Sequence, residues 1–174
     1  MNLNDAIALI EHSSLTRPQE TVWADLGCGS GLFTFALANL LQPGSTIYAL
    51  DKNNIVLSEQ SNPHHITIHQ QQTDFEKSEI DFVNLDGVLM ANSLHYVANK
   101  KQLINKLSSC IKDNGIFLIV EYETTKANPW VPYPIKFDLL RELFQSAGFA
   151  SVIKLGEKPS VYGAEKMYAA LIKR

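Results

Sequence analysis

The sequence has few cysteines, no long apolar run and no large excess of charge of either sign. Its 174 residues include two cysteines, too few for a disulfide framework and without the spacing of a zinc site. No apolar stretch approaches the roughly 20 residues that a membrane-spanning helix needs. The first residues lack the basic segment and uninterrupted apolar run of a signal peptide. These absences predict a protein of a reducing, cytoplasmic compartment, without a membrane partner.

The balance of charge makes a nucleic-acid partner unexpected. The chain has 15 lysines and arginines against 18 aspartates and glutamates, a formal net charge of −3. Nucleic-acid interfaces usually need a basic surface, which this composition does not favour. A hydrophobic fraction of 45% and a charged fraction of 19% are typical of a globular domain. The length predicts one domain spanning residues 1–174.

Apolar segments of strand length alternate with segments of helical periodicity. The pattern predicts seven strands, at 22–26, 46–50, 65–70, 87–91, 116–120, 150–155 and 167–172. It also predicts a first helix capped by Asn2 or Asn4, a turn at 113–115, and helices at 32–41, 53–61, 100–111 and 137–147. Alternation of this kind indicates a doubly wound αβα sandwich with a mostly parallel sheet. The last two strands lack a helix between them, so the sheet should end in an antiparallel pair.

The end of the first predicted strand carries an acid and three alternating glycines, DLGCGSG, at residues 25–31. One glycine would suit a tight strand-to-helix turn, whereas three indicate a ligand that approaches the main chain closely. The stretch differs from the dinucleotide fingerprint GxGxxG because Leu32 or Thr34 stands in place of the third glycine. Alone it therefore predicts nucleotide binding without identifying the nucleotide.

With the segments downstream, this stretch resembles the class I S-adenosylmethionine-dependent methyltransferases, which carry an acid and GxGxG after the first strand. The match continues in order through YALDKN (48–53), QQTDFEK (71–77), LDGVLMANSLHYV (85–97) and NGIFLIVEYET (114–124). The resemblance implies a Rossmann-like fold with a seven-stranded sheet and an antiparallel last strand. It also implies S-adenosylmethionine as cofactor and methyl transfer by direct displacement.

The resemblance assigns cofactor-binding residues to the loops after the first four strands. Asp51 would accept hydrogen bonds from both ribose hydroxyls, and Asp25 would hold the glycine turn and meet the cofactor's ammonium group. Asp74 and Phe75 would contact adenine, or alternatively be a capping aspartate and a core phenylalanine. The full implied set is Asp25, Gly27, Cys28, Gly29, Gly31, Asp51, Lys52, Asn53, Asp74, Phe75, Asn92, Ser93 and Leu94.

The residues expected to serve the methyl acceptor follow the fourth and fifth strands. His95 is the first candidate for a general base, since an unperturbed histidine pKa of about 6.5 suits proton transfer near neutral pH, and Glu121 is the second. Alternatively, His95 is a helix-start histidine held by a backbone carbonyl. The residues predicted to contact the acceptor are His95, Tyr96, Tyr122, Trp130 and Tyr133, with Tyr162 nearby.

The segment NPWVPYPIKF, residues 128–137, is the one distinctive insert after the fifth strand. Prolines stiffen a loop and aromatic rings offer flat apolar contacts, so the segment is predicted to be a lid over the acceptor pocket. The alternative is a hydrophobic plug that covers the sheet.

Several other chemistries find no support in the sequence. His65 and His69 would lie roughly 13 Å apart on a strand, too far to chelate one metal ion. The loop ANSL (91–94) lacks the [DNS]PP[YFW] motif of amino-methylating nucleic-acid enzymes and the Pro-Cys of cytosine C5 enzymes. What remains resembles the small-molecule group of this family, including the quinone-biosynthesis type, so a small-molecule acceptor is expected. A monomer or homodimer is also expected. The alternatives are a non-catalytic cofactor-binding regulatory module and an NAD-dependent oxidoreductase, which the missing third glycine and Asp25 disfavour.

Overall fold

The computed structural model describes residues 1–54, 56–159 and 166–174, so the prediction for Tyr162 lies outside the described residues. The strands are β1 (Val22–Leu26), β2 (Thr46–Asp51), β3 (Thr67–Gln72), β4 (Leu85–Ala91), β5 (Ile111–Tyr122), β6 (Ser151–Pro159) and β7 (Lys166–Lys173). The helices are α1 (Leu3–Ile10), α2 (Leu32–Ala38), α3 (Lys100–Ser108) and α4 (Phe137–Ser146), with a 3-10 helix at Leu94–Tyr96.

The strands form one sheet in the order β3-β2-β1-β4-β5-β7-β6. The pairs from β3 to β5 are parallel, and β7 runs antiparallel to both β5 and β6. This confirms the predicted sheet. The strand order reverses between β1 and β4, and such a reversal opens a crevice at the carboxyl ends of the strands. The residues after β1, β2 and β4 therefore converge there.

The sheet is covered by helices on both faces, which confirms the three-layer prediction. Neighbouring residues of a strand point to opposite faces. Val88 and Phe117 belong to one apolar cluster with residues of α3 and α4. Trp23 and Leu118 belong to a second cluster with residues of α1 and α2. The edge strand β3 contributes little to either cluster, since only Ile68 among its residues is not exposed.

Two helices begin at asparagine caps, as their sequences favour. The Asn2 side chain accepts a hydrogen bond from the Asp5 backbone N–H at 2.8 Å, which identifies Asn2 as the cap of α1. The Asn99 side chain accepts one from the Gln102 N–H at 3.1 Å at the start of α3.

The predicted helix at 53–61 is wrong for the described residues of that segment, which contain no helix. Bonds to distant parts of the chain replace the local bonds of a helix there. The Ser58 N–H donates to the Ser30 carbonyl at 2.9 Å, and the Leu57 N–H donates to Gln70 Oε1 at 3.4 Å. Contacts of this kind override a weak helical pattern.

The predicted turn at 113–115 is also wrong, because these residues lie within β5. The pairing of β4 with β5 shifts register between Leu85 and Gly87, opposite this part of β5. A bulge of this kind accommodates the extra residues of the DNG sequence without ending the strand.

Gly87 on β4 is required by the indole of Trp23. A Cβ at Gly87 would lie 2.2 Å from Cζ3 of Trp23, whose Nε1–H donates to Thr21 Oγ1 at 3.1 Å. We expect Gly87→Ala to lower the free energy of unfolding by about 1–3 kcal/mol through overpacking, measured by urea denaturation. The control is Gly156→Ala, whose Cβ would meet its nearest neighbour, Leu9 Cδ1, at 3.7 Å. Equal losses in the two variants would contradict the prediction.

Candidate functional site

A cavity of about 680 Å³ opens at the carboxyl ends of β1, β2, β3 and β4. This volume is within the range of small-molecule sites. The structure brings the predicted cofactor residues together there, with two exceptions: Gly31 and Leu94 do not line the cavity. The wall also contains residues that the sequence did not assign to the cofactor. They are Ser30, Leu32, Phe33, Glu76, Lys77 and Ala91, and each is adjacent in sequence to a predicted residue or separated from one by a single position.

The first glycine of the turn makes room for protein rather than for ligand. A Cβ at Gly27 would lie 2.5 Å from Cβ of Ser93, and the backbone φ of 81° also favours glycine. The Ser93 hydroxyl donates to the Leu26 carbonyl at 2.6 Å, so the loop after β4 is joined to the end of β1. Gly27 therefore permits the close approach that closes this side of the cavity.

The second glycine faces open space. A Cβ at Gly29 would meet nothing within 4 Å, and its N–H donates to Asp51 Oδ2 at 3.1 Å. The turn thus presents bare main chain to the cavity at this position. Gly31 serves a third purpose, since it is the N-cap residue directly before α2 and has a backbone φ of 92°.

Asp25 is buried behind the turn with one carboxylate oxygen unpartnered. Oδ2 accepts a hydrogen bond from the Thr34 hydroxyl at 2.6 Å, and Oδ1 has no partner among the described residues. Burial raises the pKa of Asp25 to about 7, the Thr34 hydrogen bond opposes this, and the charge of Asp51 adds to it. Because buried polar atoms nearly always have partners, the free oxygen in the cavity wall fits a cationic donor of a ligand.

Asn92, directly after β4, carries the second unpartnered oxygen. Its Oδ1 is buried without a hydrogen bond in the described structure. Its backbone has a φ of 54°, and its N–H donates to the Val120 carbonyl at 2.8 Å. A left-handed residue held in this way is common at ligand sites. The two free oxygens flank the glycine turn and fit a ligand that brings hydrogen-bond donors.

Asp51 ends β2 with both carboxylate oxygens oriented. Oδ2 accepts from Gly29, and Oδ1 accepts from the backbone N–H of Asn53 at 2.9 Å and from its side-chain amide at 3.2 Å. A carboxylate has about four acceptor sites and three are occupied, so one remains for a ligand hydroxyl, and a second hydroxyl would have to replace the Asn53 amide.

Asp74 and Phe75 make the capping and core contacts of the alternative interpretation, and their contact with adenine stays a prediction. Asp74 Oδ1 accepts from the Glu76 N–H at 3.2 Å, as a turn-capping residue does. Phe75 packs against the apolar cluster that contains α3 and α4. Both residues nevertheless line the cavity. The capping and core contacts therefore orient two side chains that also face the ligand space.

His95 and Glu121 form a buried pair beside the cavity rather than in its wall. The ring Nδ1 of His95 lies 2.7 Å from Oε2 of Glu121, and the His95 backbone N–H donates to Oε1 at 3.0 Å. Both side chains are buried, and neither lines the cavity. The partner of His95 is thus a carboxylate, not the backbone carbonyl of the alternative interpretation. The assignment of His95 as the first candidate for the general base, and of Glu121 as the second, remains a prediction.

Of the other described residues predicted to meet the acceptor, Tyr96 alone lines the cavity. Its ring is 4.4 Å from that of His95, centroid to centroid, and Tyr122 lies 5.8 Å from His95 on the β5 side. In the insert, Trp130 is 76% exposed and Tyr133 is 47% exposed. Neither Trp130 nor Tyr133 lines the cavity, and the lid remains a prediction.

The insert is firmly attached to the fold. Asn128 and Val131 exchange two backbone hydrogen bonds of 3.1 Å, which closes a tight turn with Trp130 near its tip. The Tyr133 N–H donates to the His95 carbonyl at 2.9 Å. The Lys100 ammonium donates to the carbonyls of Val97 and Tyr133 at 2.8 and 2.7 Å. Val131 is buried, whereas the side chains of Trp130 and Tyr133 are exposed.

The described residues include neither a cluster of metal ligands nor a membrane-spanning helix. No group of three histidine, cysteine or acidic side chains there is arranged to hold a metal ion. None of the described helices has the length and apolar character needed to cross a bilayer.

Comparison with known proteins gives a family and a set of similar folds. The family model described as a methyltransferase domain matches residues 24–117, more than half of the chain. The ubiquinone biosynthesis O-methyltransferase of Rickettsia akari (strain Hartford) is 31% identical over 102 residues. That match covers 59% of this chain and 40% of the relative, so the chain corresponds to less than half of that protein's length.

Two solved structures have the same fold. The 1,6-didemethyltoxoflavin-N1-methyltransferase of Burkholderia thailandensis, with its toxoflavin precursor and S-adenosylhomocysteine bound, has a TM-score of 0.73 at 18% identity. The match covers 99% of this chain and 77% of that one. The magnesium protoporphyrin IX methyltransferase of Synechocystis PCC 6803, with bound S-adenosylmethionine, has a TM-score of 0.66 at 16% identity, covering 99% and 78%. At these identities the similarity shows the fold alone.

The raised pKa of Asp25 predicts how stability depends on pH. Above the unfolded value of 3.8, the folded state holds a proton that the unfolded state has lost, so stability falls as pH rises towards about 7. The variant Asp25→Asn removes this loss. Relative to the native chain it should gain stability from pH 4 to pH 8, by up to about 4 kcal/mol at 1.36 kcal/mol per pKa unit.

The measurement is urea denaturation without ligand across this pH range. Asp81→Asn, at an exposed position outside the cavity wall, is the control and should show no such trend. A constant difference between Asp25→Asn and the native chain from pH 4 to pH 8 would contradict the prediction.

Proposed function

Because this chain belongs to the methyltransferase domain family, we propose that it transfers a methyl group from S-adenosylmethionine to a small-molecule acceptor by direct displacement. The observation that carries the proposal is the pair of unpartnered buried oxygens, on Asp25 and Asn92, that flank the glycine turn at the strand-order reversal. They fit a ligand with a cationic donor group. The wider cavity offers the remaining partners that such a cofactor needs.

The residues of the cavity wall offer partners for four parts of S-adenosylmethionine: its ammonium group, its carboxypropyl tail, its ribose and its adenine. Asp25 would receive the ammonium group, and the bare main chain at Gly29 would lie along the carboxypropyl tail. Asp51 would bind the ribose hydroxyls, with Asp74 and Phe75 at the adenine. When bound, the cofactor supplies a methyl group on a positively charged sulfur, which is already an activated leaving group.

The protein's own task is then to position the acceptor and exclude water. We place the acceptor beside Tyr96, at the end of the cavity next to Asn92 and Ser93. A base is needed only if the acceptor must lose a proton. For that case we propose His95, with its ring oriented by the Glu121 carboxylate as an acid orients a catalytic histidine.

The acceptor class is inferred from the chain's relatives. The proteins named above methylate 1,6-didemethyltoxoflavin or magnesium protoporphyrin IX, or act in ubiquinone biosynthesis, and these names support a small-molecule acceptor. We propose a single domain that works as a monomer or homodimer, without a nucleic-acid or membrane partner. The two cysteines are buried and unpaired, which supports a reducing, cytoplasmic location.

Two experiments distinguish this function from the alternatives, an NAD-dependent oxidoreductase and a non-catalytic regulatory module. Calorimetric titration with S-adenosylhomocysteine and with NAD decides between the methyltransferase and the oxidoreductase. A screen of acceptors with labelled methyl groups then decides between an enzyme and a non-catalytic regulatory module. Tight S-adenosylhomocysteine binding without transfer to any acceptor would favour the module.

The proposed binding of the ribose hydroxyls by Asp51 predicts the effect of a substitution there. Asp51→Asn should weaken binding of S-adenosylhomocysteine ten- to a hundredfold, since hydrogen bonds to a charged group contribute about 1.5–3 kcal/mol. The affinity is measured by calorimetry, and Asp81→Asn should leave it unchanged. Circular dichroism checks that both variants are folded. An unaltered affinity in Asp51→Asn would contradict the assignment.

A substitution of Trp130 distinguishes the two interpretations of segment 128–137, a lid over the acceptor and a hydrophobic plug. Trp130 is 76% exposed, so Trp130→Ala should change the free energy of unfolding by less than about 0.5 kcal/mol. As part of a lid it should instead raise the KM for the acceptor found in the screen several-fold. Leu139→Ala, at an exposed position on α4, is the control. A loss of stability with unchanged kinetics would identify a plug.

A further inference from the structure

The charges of the cavity wall are divided between its two sides. The acids Asp51, Asp74 and Glu76 lie at the ends of β2 and β3, and Asp25 belongs to β1. The residues that β4 and its loop contribute are Ala91, Asn92, Ser93 and Tyr96, all uncharged. Because the sheet order is β3-β2-β1-β4, the acids surround the proposed cofactor space. The β4 side, where we place the acceptor, has no negative group in the described wall.

Lys52 carries a positive charge to this uncharged side. It follows β2, yet its ammonium nitrogen lies 5.5 Å from the centroid of the Tyr96 ring, which follows β4. Since β1 separates these two strands, the Lys52 side chain spans the cavity above the glycine turn. Its main chain is fixed, because the Gln72 side-chain amide donates to the Lys52 carbonyl at 3.2 Å.

The Lys52 ammonium makes no ion pair with a carboxylate in the described part of the chain. The other cavity lysine, Lys77, is paired with Asp74 at 3.4 Å. Lys52 lies in the same cavity as several acids, yet its charge is directed to an aromatic face. A cation on the face of a ring is stabilised only weakly where it is exposed to water. This ammonium is therefore available to an anion from outside.

Tyr96 offers a fixed, partly open ring next to that charge. The ring is tilted against His95, which Glu121 holds through both of its carboxylate oxygens. Tyr96 is still 44% exposed. A flat molecule can stack on such a ring, and aromatic pairs of this kind contribute beyond the area that they bury.

We propose that the acceptor is a planar aromatic molecule with an anionic oxygen, stacked on Tyr96 and paired with the Lys52 ammonium. This inference rests on the proposed function, because it places the acceptor at the β4 side of the cavity. Lys52 is then a specificity-determining residue as well as a member of the cofactor-binding set. Its charge also favours the ionised form of an acidic hydroxyl on the ring, since a nearby cation lowers the pKa of such a group.

The test uses three probes and the protein loaded with S-adenosylhomocysteine. The probes are 2-naphthoate, its uncharged analogue 2-naphthamide, and cyclohexanecarboxylate, which has the charge without the aromatic ring. Calorimetry should show 2-naphthoate binding about fivefold or more tightly than either of the others, in line with a partly exposed ion pair. The preference for the anion should shrink as salt is raised.

Substitutions of Lys52 and Tyr96 test which residue causes the preference for the anion and which causes the preference for the aromatic ring. Lys52→Gln should abolish the advantage of 2-naphthoate over 2-naphthamide, and Lys52→Arg should retain it. Tyr96→Leu should weaken both naphthyl probes and leave cyclohexanecarboxylate nearly unchanged. Lys101→Gln, at an exposed position of α3 outside the cavity wall, is the matched charge control. Circular dichroism shows whether each variant is folded, and every titration is made at an S-adenosylhomocysteine concentration that saturates that variant.

Equal affinity for 2-naphthoate and 2-naphthamide, or no binding of either, overturns the proposal. An anion preference that survives in Lys52→Gln overturns the role of Lys52. Failure of the native chain to bind S-adenosylhomocysteine overturns the proposed function instead. In that case the probes are titrated into the free protein, where the same comparisons decide whether Lys52 and Tyr96 form an anion site.

Discussion

The approach of Ser93 to Gly27 is the contact on which the candidate site depends. The two residues lie just after the ends of β1 and β4, and the Ser93 hydroxyl donates to the carbonyl of Leu26, the last residue of β1. A side chain at position 27 would separate the strand ends and the walls that they carry. The free oxygens of Asp25 and Asn92 would then no longer face one ligand. A close main-chain contact thus fixes the shape of the cavity before any ligand binds.

A second constraint links the cavity to the insert. Glu121 holds both the main chain and the ring of His95, and the His95 carbonyl accepts the Tyr133 N–H. One buried carboxylate therefore joins β5, the loop after β4 and the segment 128–137. This arrangement gives Glu121 a structural effect on the acceptor side whether or not His95 moves a proton. It also explains how an exposed aromatic turn is held at a defined place on the fold.

The sequence patterns predicted the sheet, its antiparallel end and the family, because apolar strands and an ordered series of loop motifs are local signals. They failed for the helix at 53–61, where Ser58 and Leu57 form bonds to residues distant in sequence. They also failed for the turn at 113–115, which a register shift in the pairing partner absorbs. The purpose of Gly27 could not be predicted, since no local signal announces the Ser93 side chain that fills its space.

The position of β3 at the edge of the sheet gives the two walls of the cavity different local stabilities. A strand with mostly exposed residues and one neighbour opens at a lower free energy than a strand in the middle of the sheet. Asp74 and Phe75 follow that strand, while Asn92 follows the fully enclosed β4. A ligand that contacts both walls stabilises the closed form of the weaker one. If the cofactor binds as proposed, its adenine end would raise hydrogen-exchange protection along β3, whereas protection of β4 would change little.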